Sequence, residues 1–293
     1  MTNKLKLYKY TTNVGYLKKS YSKQLIHLSP LVELNDPFEG YSIIKHFSPD
    51  FVLENPDIYK NMLRIFKEDR PSFTESDFIN LLQSDDFKKE LEEHSNIKKL
   101  LFPKHGITCF SSDPVNLPMW AYYANNHRGY CVEIEMDIDY IQAKTQILPS
   151  EAKRMANDIQ NNDFVLSFFI GENEFVFSKV KYSDQLPIIQ YDELSRCKSK
   201  YEQIDYIVKN SVGVKYKQWS HENEYRLIAN SNSKDSGLLS LSNYAPFLTF
   251  TGVIIGAKME QKYIKKIQEL QKKCDFFIKR ARLSDNAYKL EVM

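Results

Sequence analysis

Polar and apolar residues alternate most cleanly over 130–137, where Val132, Ile134 and Met136 fall on one side and Glu133, Glu135 and Asp137 on the other. A period of two marks a half-buried strand, so the spacing predicts a strand with an acidic outer face. Shorter runs at 5–11, 24–29, 107–111, 174–182, 224–229, 253–255 and 276–283 also read as strands. Helical spacing governs 49–101, 138–162 and 192–213, and returns late in the chain as Tyr263, Ile267, Leu270 and Cys274. Within the first of these stretches Asn55-Pro56, Thr74 and Ser84 are helix starts, with acidic residues in the turns that follow. Pro118 suits the first position of a short helix carrying Met119, Trp120, Tyr122 and Tyr123, and Gly129 closes that unit. Asn35-Asp36-Pro37-Phe38-Glu39-Gly40 is a turn: Asn and Asp bond their own backbone, and Pro37 fixes φ.

This order of elements predicts an α+β fold, a single domain over residues 1–293 with a mixed, mainly antiparallel sheet as its core. Two sections stand out from it, an acidic helical insertion at about 49–101 and a strand-helix-strand section at about 250–293. Charge follows the same division. The total is +2, but residues 50–97 carry −6 and residues 258–293 carry +5. Lys265, Lys266, Lys272 and Lys273 make the late helix a candidate surface for nucleic acid, although a solvated helix face explains them as well.

No apolar run reaches the ~20 residues a membrane span needs, and Met1–Lys6 has no apolar leader core, so a cytoplasmic protein without membrane partners is expected. Cys109, Cys131, Cys197 and Cys274 are scattered and form no disulfide framework. His105/Cys109 and His127/Cys131 repeat one spacing, but on strands such pairs stand ~13 Å apart, and no metal is expected.

The densest chemistry lies in Lys217-Gln218-Trp219-Ser220-His221-Glu222-Asn223-Glu224-Tyr225-Arg226. On a strand Glu222, Glu224 and Arg226 would share one face. The arginine would lower one carboxylate's pKa, while repulsion raises the other's. An exposed strand face with a cross-strand ion pair is the plainer reading. A second group comprises Cys109-Phe110-Ser111-Ser112-Asp113 and the helix after it. There Trp120, Tyr123 and His127 fall on one side, as a stacking surface for a flat ring or as core packing. No phosphate-binding glycine loop and no G-x-S-x-G elbow is present.

Taken together, LYKYTT, HLSPLVELNDPFEG, ITCFSS, MWAYYANNHRGYCVEIE, WSHENEYRLI and GVIIGAKM resemble a widespread bacterial family known only as a domain of unknown function, from about Leu5 to Met259. More distantly, the layout is similar to the ADP-ribosyltransferase superfamily, and this resemblance implies split sheets. It implies Lys9 in the first motif position, where relatives often carry His, with Tyr10 beside it, Ser111 with Phe110 in the second, and Glu222 and Glu224 as the E-x-E of the third. The implied roles place Glu224 on the ribose 2′-hydroxyl, Ser111 as its support, Trp120 or Tyr123 against nicotinamide, and Glu222 as base toward an acceptor. His127 and Arg226 complete the implied nucleotide-binding set.

The leading expectation is therefore an NAD-dependent ADP-ribosyltransferase or NAD glycohydrolase of bacterial toxin or antiphage-defence type, with NAD as substrate and a protein or nucleic acid as possible acceptor. A non-catalytic sensor domain that binds a nucleotide or a partner is the alternative, and a nucleic-acid-binding protein the third.

Overall fold

The computed structural model describes residues 4–12, 14–30, 33–85, 87, 92–96, 105–144, 165–230 and 237–293. Its strands, in chain order, begin with β1 (Lys4–Thr11), β2 (Leu25–His27), β3 (Ser29–Pro30), β4 (Tyr41–Lys45), β5 (Glu92–Asn96) and β6 (His105–Ser111). They continue with β7 (Tyr130–Asp137), β8 (Val165–Ile170), β9 (Asn173–Lys179), β10 (Lys181–Ser183), β11 (Ile188–Gln190) and β12 (Val214–Tyr216). The last are β13 (Glu224–Asn230), β14 (Leu238–Ser240), β15 (Leu248–Ile255), β16 (Phe277–Leu283) and β17 (Leu290–Val292).

The main sheet runs β17-β16-β15-β7-β1-β6-β13-β9-β8, with β3 also on β6. It is antiparallel except at β15/β16. The α+β class and the mainly antiparallel core are as the sequence predicts. The sheet has two halves. β1 pairs along its whole length with β7, and β13 along its whole length with β6, whereas β1 meets β6 only at Tyr8↔Ser111.

Both faces of this sheet are covered. Leu7, Ile134, Met136, Phe110, Tyr225 and Leu227 look into the main core. On the other face Tyr8, Tyr10, Trp120, Cys131 and Ile254 form a second cluster, and Ile107, Val176, Val208 and Ile228 a third. Apolar residues on both sides explain why few strands alternate cleanly. Glu133 departs from the predicted outer face for this reason. It is buried, takes a hydrogen bond from Thr251 Oγ1 at 3.2 Å, and has Lys6 and Lys279 at 3.6 and 3.8 Å.

The acidic section begins as predicted. Ser48 caps the Pro49–Glu54 helix, and Thr74 with Asp77 forms a reciprocal capping box on Glu75–Gln83. Residues 92–96, predicted helical, are instead the strand β5, paired with β4. Of the predicted helix over 138–162, Ile138–Lys144 is helical and 145–162 lies outside the described residues. The predicted helix over 192–213 is two helices, Tyr191–Arg196 and Lys200–Lys209.

A buried charge network beneath an aromatic cavity

Glu222 and Glu224 do not share a strand face. Lys217–Glu222 winds into a 3-10 helix, and Asn223 turns the chain through a left-handed conformation (φ 45°, ψ 52°) before β13 begins. Asn tolerates that region better than most side chains. The corner is tied to the neighbouring strand end by Ser112 N–H donating to Asn223 O at 3.1 Å. The two carboxylates nevertheless converge on the ammonium of Lys215, at 2.6 Å from Glu222 and 3.2 Å from Glu224.

Three further groups complete the network. Arg226 donates to Glu224 from Nε and Nη2 at 2.8 and 2.9 Å, to Val212 O at 2.6 Å, and to Glu39. Glu39 also faces Lys215 at 3.1 Å. It is delivered by the turn at 35–40, in which Asp36 Oδ1 accepts the Phe38 N–H at 2.9 Å. Glu39, Lys215, Glu222, Glu224 and Arg226 are all buried. Three carboxylates against two cations leave a surplus negative charge in a poorly solvated place, so one carboxyl is driven toward its neutral form.

Glu222 is that group. Burial and then the charge of Glu224 raise its pKa, against the opposing pull of Lys215. Burial also pushes on Glu224, but Arg226 and Lys215 outweigh it and hold that carboxyl down at about 2. The pair is thereby split into one carboxylate that stays ionised and one poised to exchange a proton.

Glu222 is also the member linked to open space, through Tyr123. Tyr123 donates to Glu222 Oε1 at 2.5 Å and accepts from Asn35 Nδ2 at 2.8 Å. Tyr123 and Asn35, with Tyr122, Gln218, Trp219 and His221, line a cavity of about 430 Å³. The Trp219 ring also sits 5.1 Å from the Lys215 ammonium, a cation–π contact between the cavity wall and the network. A smaller hollow of about 230 Å³ has Glu39 and Lys215 in its wall.

The residues singled out from the sequence separate into three places. Ser111 and Glu224 are directly opposite each other on β6 and β13, and Tyr8 is opposite Ser111 on β1, so these three form one row across the sheet. Lys9, expected in that row, projects from the opposite face. Its ammonium donates to Thr108 Oγ1 at 2.8 Å and lies 5.8 Å from the Phe110 ring. Burial lowers its pKa. Phe110 belongs to the main core, away from Glu224.

Trp120 is fully buried in the second cluster. Its Nε1 donates to Pro114 O at 2.8 Å, Tyr10 meets it edge-on at 5.2 Å, and His127 lies parallel to it at 6.4 Å. Trp120 and Tyr10 are thus core packing, with the half-buried His127 laid against Trp120, and of the predicted stacking residues only Tyr123 reaches the cavity. Glu39, Lys215 and Tyr182 were not foreseen; the Tyr182 hydroxyl accepts the Glu224 N–H at 2.9 Å. Among the described residues no group of three or more His, Cys, Asp or Glu side chains gathers as a metal site.

The fold and site define an α+β domain built around a buried five-residue charge network. Residues 119–227 match the model of a family described as protein of unknown function (DUF2971), a stretch running from Met119 to Leu227 and including Tyr123, Lys215, Glu222, Glu224 and Arg226. No curated protein and no solved structure matches the chain. Among the described residues no helix is long and apolar enough to cross a membrane.

Proposed function

We propose that the protein is an NAD⁺-consuming enzyme, an ADP-ribosyltransferase or NAD⁺ glycohydrolase, whose nicotinamide end enters the cavity between the Leu117–Tyr122 helix and the Lys217–Glu222 turn. The observation that carries this reading is the split carboxylate pair behind an aromatic wall. Tyr122, Tyr123 and Trp219 offer flat surfaces to a ring, while Glu222 stands behind Tyr123 with a raised pKa.

In the reaction the bond between ribose C1′ and nicotinamide N1 breaks, and its electron pair leaves with neutral nicotinamide. The ribose left behind is oxocarbenium-like, and water or a macromolecular nucleophile adds to C1′. Glu222 takes the proton of that nucleophile, a role for which a carboxylate with a raised pKa is the stronger base. Glu224, ion-paired on both oxygens, is a positioning residue. Its fixed charge raises the pKa of Glu222 and anchors Lys215. Ser111 and Tyr8 extend the same row.

The enclosure of Glu224 also favours a second reading, a sensor that binds a nucleotide in the same cavity without turning it over. Nicotinamide release from NAD⁺ by the purified chain, with and without cell lysate as acceptor source, separates the two. Turnover that falls by about 10²–10⁴ in Glu222→Gln is expected. A raised melting temperature with NAD⁺ and no release establishes the sensor, and neither effect overturns both.

A further inference from the structure

A second hollow, sharing no residue with the aromatic cavity, lies between the Val14–Lys23 helix, the turn at 125–128 and the Gln261–Gln271 helix, with a volume of about 600 Å³. Lys18, Arg128, Lys266 and Lys273 all line it. Among the described residues none of these four side chains pairs with a carboxylate. Two acids share the wall, but Glu260 is held by Lys262 at 2.7 Å, which leaves Glu269 as the one carboxylate set against four cations. Like charges converging on one concavity repel one another, and the arrangement is relieved by a multivalent anion.

The walls add two features. The first turn of the Val14–Lys23 helix contributes Val14 and Gly15, so the N-terminal end of that helix forms part of the wall as well. Tyr263, beside Leu270, brings an aromatic ring to the wall, with the Lys262 and Lys266 ammoniums 4.9 and 5.7 Å from its centroid. Arg128 is placed by a turn in which Asn125, Asn126 and His127 are all left-handed (φ 47°, 52° and 66°). Such a run persists only where its surroundings hold it. Here the His127 N–H donates to Trp120 O, the Asn126 N–H to Ala121 O, and a Cβ at Gly129 or Gly256 would collide with backbone carbonyls.

We propose that this hollow binds a small polyphosphorylated ligand, a nucleoside polyphosphate whose phosphates meet Lys18, Arg128, Lys266 and Lys273 and whose base lies on Tyr263. Its volume suits a ligand of that size, and four cations lining one concavity suit a ligand that carries several negative charges. The site is independent of the NAD⁺ reading, because neither Glu222 nor any residue of the aromatic cavity takes part.

Isothermal titration calorimetry on the full chain tests this with inorganic tripolyphosphate, ATP and a short duplex DNA. Tripolyphosphate and ATP are expected to bind, ATP more tightly through the ring. Lys266→Ala/Lys273→Ala, both exposed, the first on the Gln261–Gln271 helix and the second in the turn after it, is expected to weaken both by at least tenfold with an unchanged circular dichroism spectrum. Glu269→Gln is expected to tighten both, and Glu222→Gln to leave both unchanged. No heat with either anion, or equal affinity in the double variant, overturns the proposal. Duplex DNA binding more tightly than ATP and lost in the same variant overturns it in favour of a nucleic-acid surface.

Discussion

Arg226 grips Glu224 at both carboxylate oxygens from the same strand face, at 2.8 and 2.9 Å, with both side chains buried. Residues i and i+2 of a strand stand side by side, so the fork of the guanidinium meets its carboxylate without crossing to another strand. Its remaining contacts, to Val212 O and Glu39, tie β13 to the loop before β12 and to the turn at 35–40. Replacing Arg226 by Met leaves Glu224 and Glu39 buried with part of their compensation gone. A loss of about 3–5 kcal/mol is expected. Urea unfolding checks this, and a loss under about 1 kcal/mol would mean that water reaches the network.

The same pair sets the acid limb of stability. Glu224 has a folded pKa of about 2 against an ordinary 4.5, because Arg226 and Lys215 overcome the effect of burial. As pH falls the unfolded chain takes up this proton first. The stabilisation is therefore complete above about pH 4.5 and disappears toward pH 2, and a swing on the order of 2–3 kcal/mol follows from a shift of this kind. Glu222 runs the other way: its folded pKa is raised, so its contribution favours folding at low pH and is lost as pH rises through that value. Melting temperatures taken from neutral pH down to about 2 should fall less steeply below pH 4.5 in Glu224→Gln than in the wild type. Parallel curves would place the acid sensitivity elsewhere.

What could be read from the sequence was local. β7 follows from its alternation, and the short helix at 117–122 from Pro118; the structure adds the Asn116 cap, whose side chain accepts the Met119 N–H at 3.0 Å. The site could be read only in part, because its geometry depends on events that periodicity does not record. Asn223 breaks the period of two between the glutamates. On β1 the buried residues Leu7, Tyr8 and Tyr10 fall on both faces, so the pattern could not decide between Lys9 and its neighbour Tyr8 as the partner of Ser111. Glu39 lies 187 positions from the arginine it holds, in a motif whose turn-forming residues explain it without any site.

Lys9 gives a test of that face assignment. Its ammonium is turned toward Thr108 and Phe110, on the side of the sheet away from Glu224. Lys9→Met keeps most of the side-chain volume and removes a charge whose burial is unfavourable. Stability within about 1 kcal/mol of wild type is expected, together with unchanged nicotinamide release. A selective rise in KM for NAD⁺ would return Lys9 to the nucleotide site.

The chain's two tryptophans report on separate places, which makes the location of any ligand measurable. Trp120 is enclosed between Tyr10 and His127, whereas Trp219 is half-buried on the cavity wall. A nucleotide in that cavity would stack near Trp219 and leave Trp120 untouched. NAD⁺ is therefore expected to quench the fluorescence of wild type and of Trp120→Phe, and to leave Trp219→Phe unquenched. The truncation Trp120→Ala should cost about 3–5 kcal/mol through the void it opens, while Tyr122→Ala, 72% exposed on the cavity rim, should stay within about 0.5 kcal/mol of wild type and weaken NAD⁺ binding. If quenching persists without Trp219, the ligand does not lie between the Leu117–Tyr122 helix and the Lys217–Glu222 turn, and the base role of Glu222 goes with it.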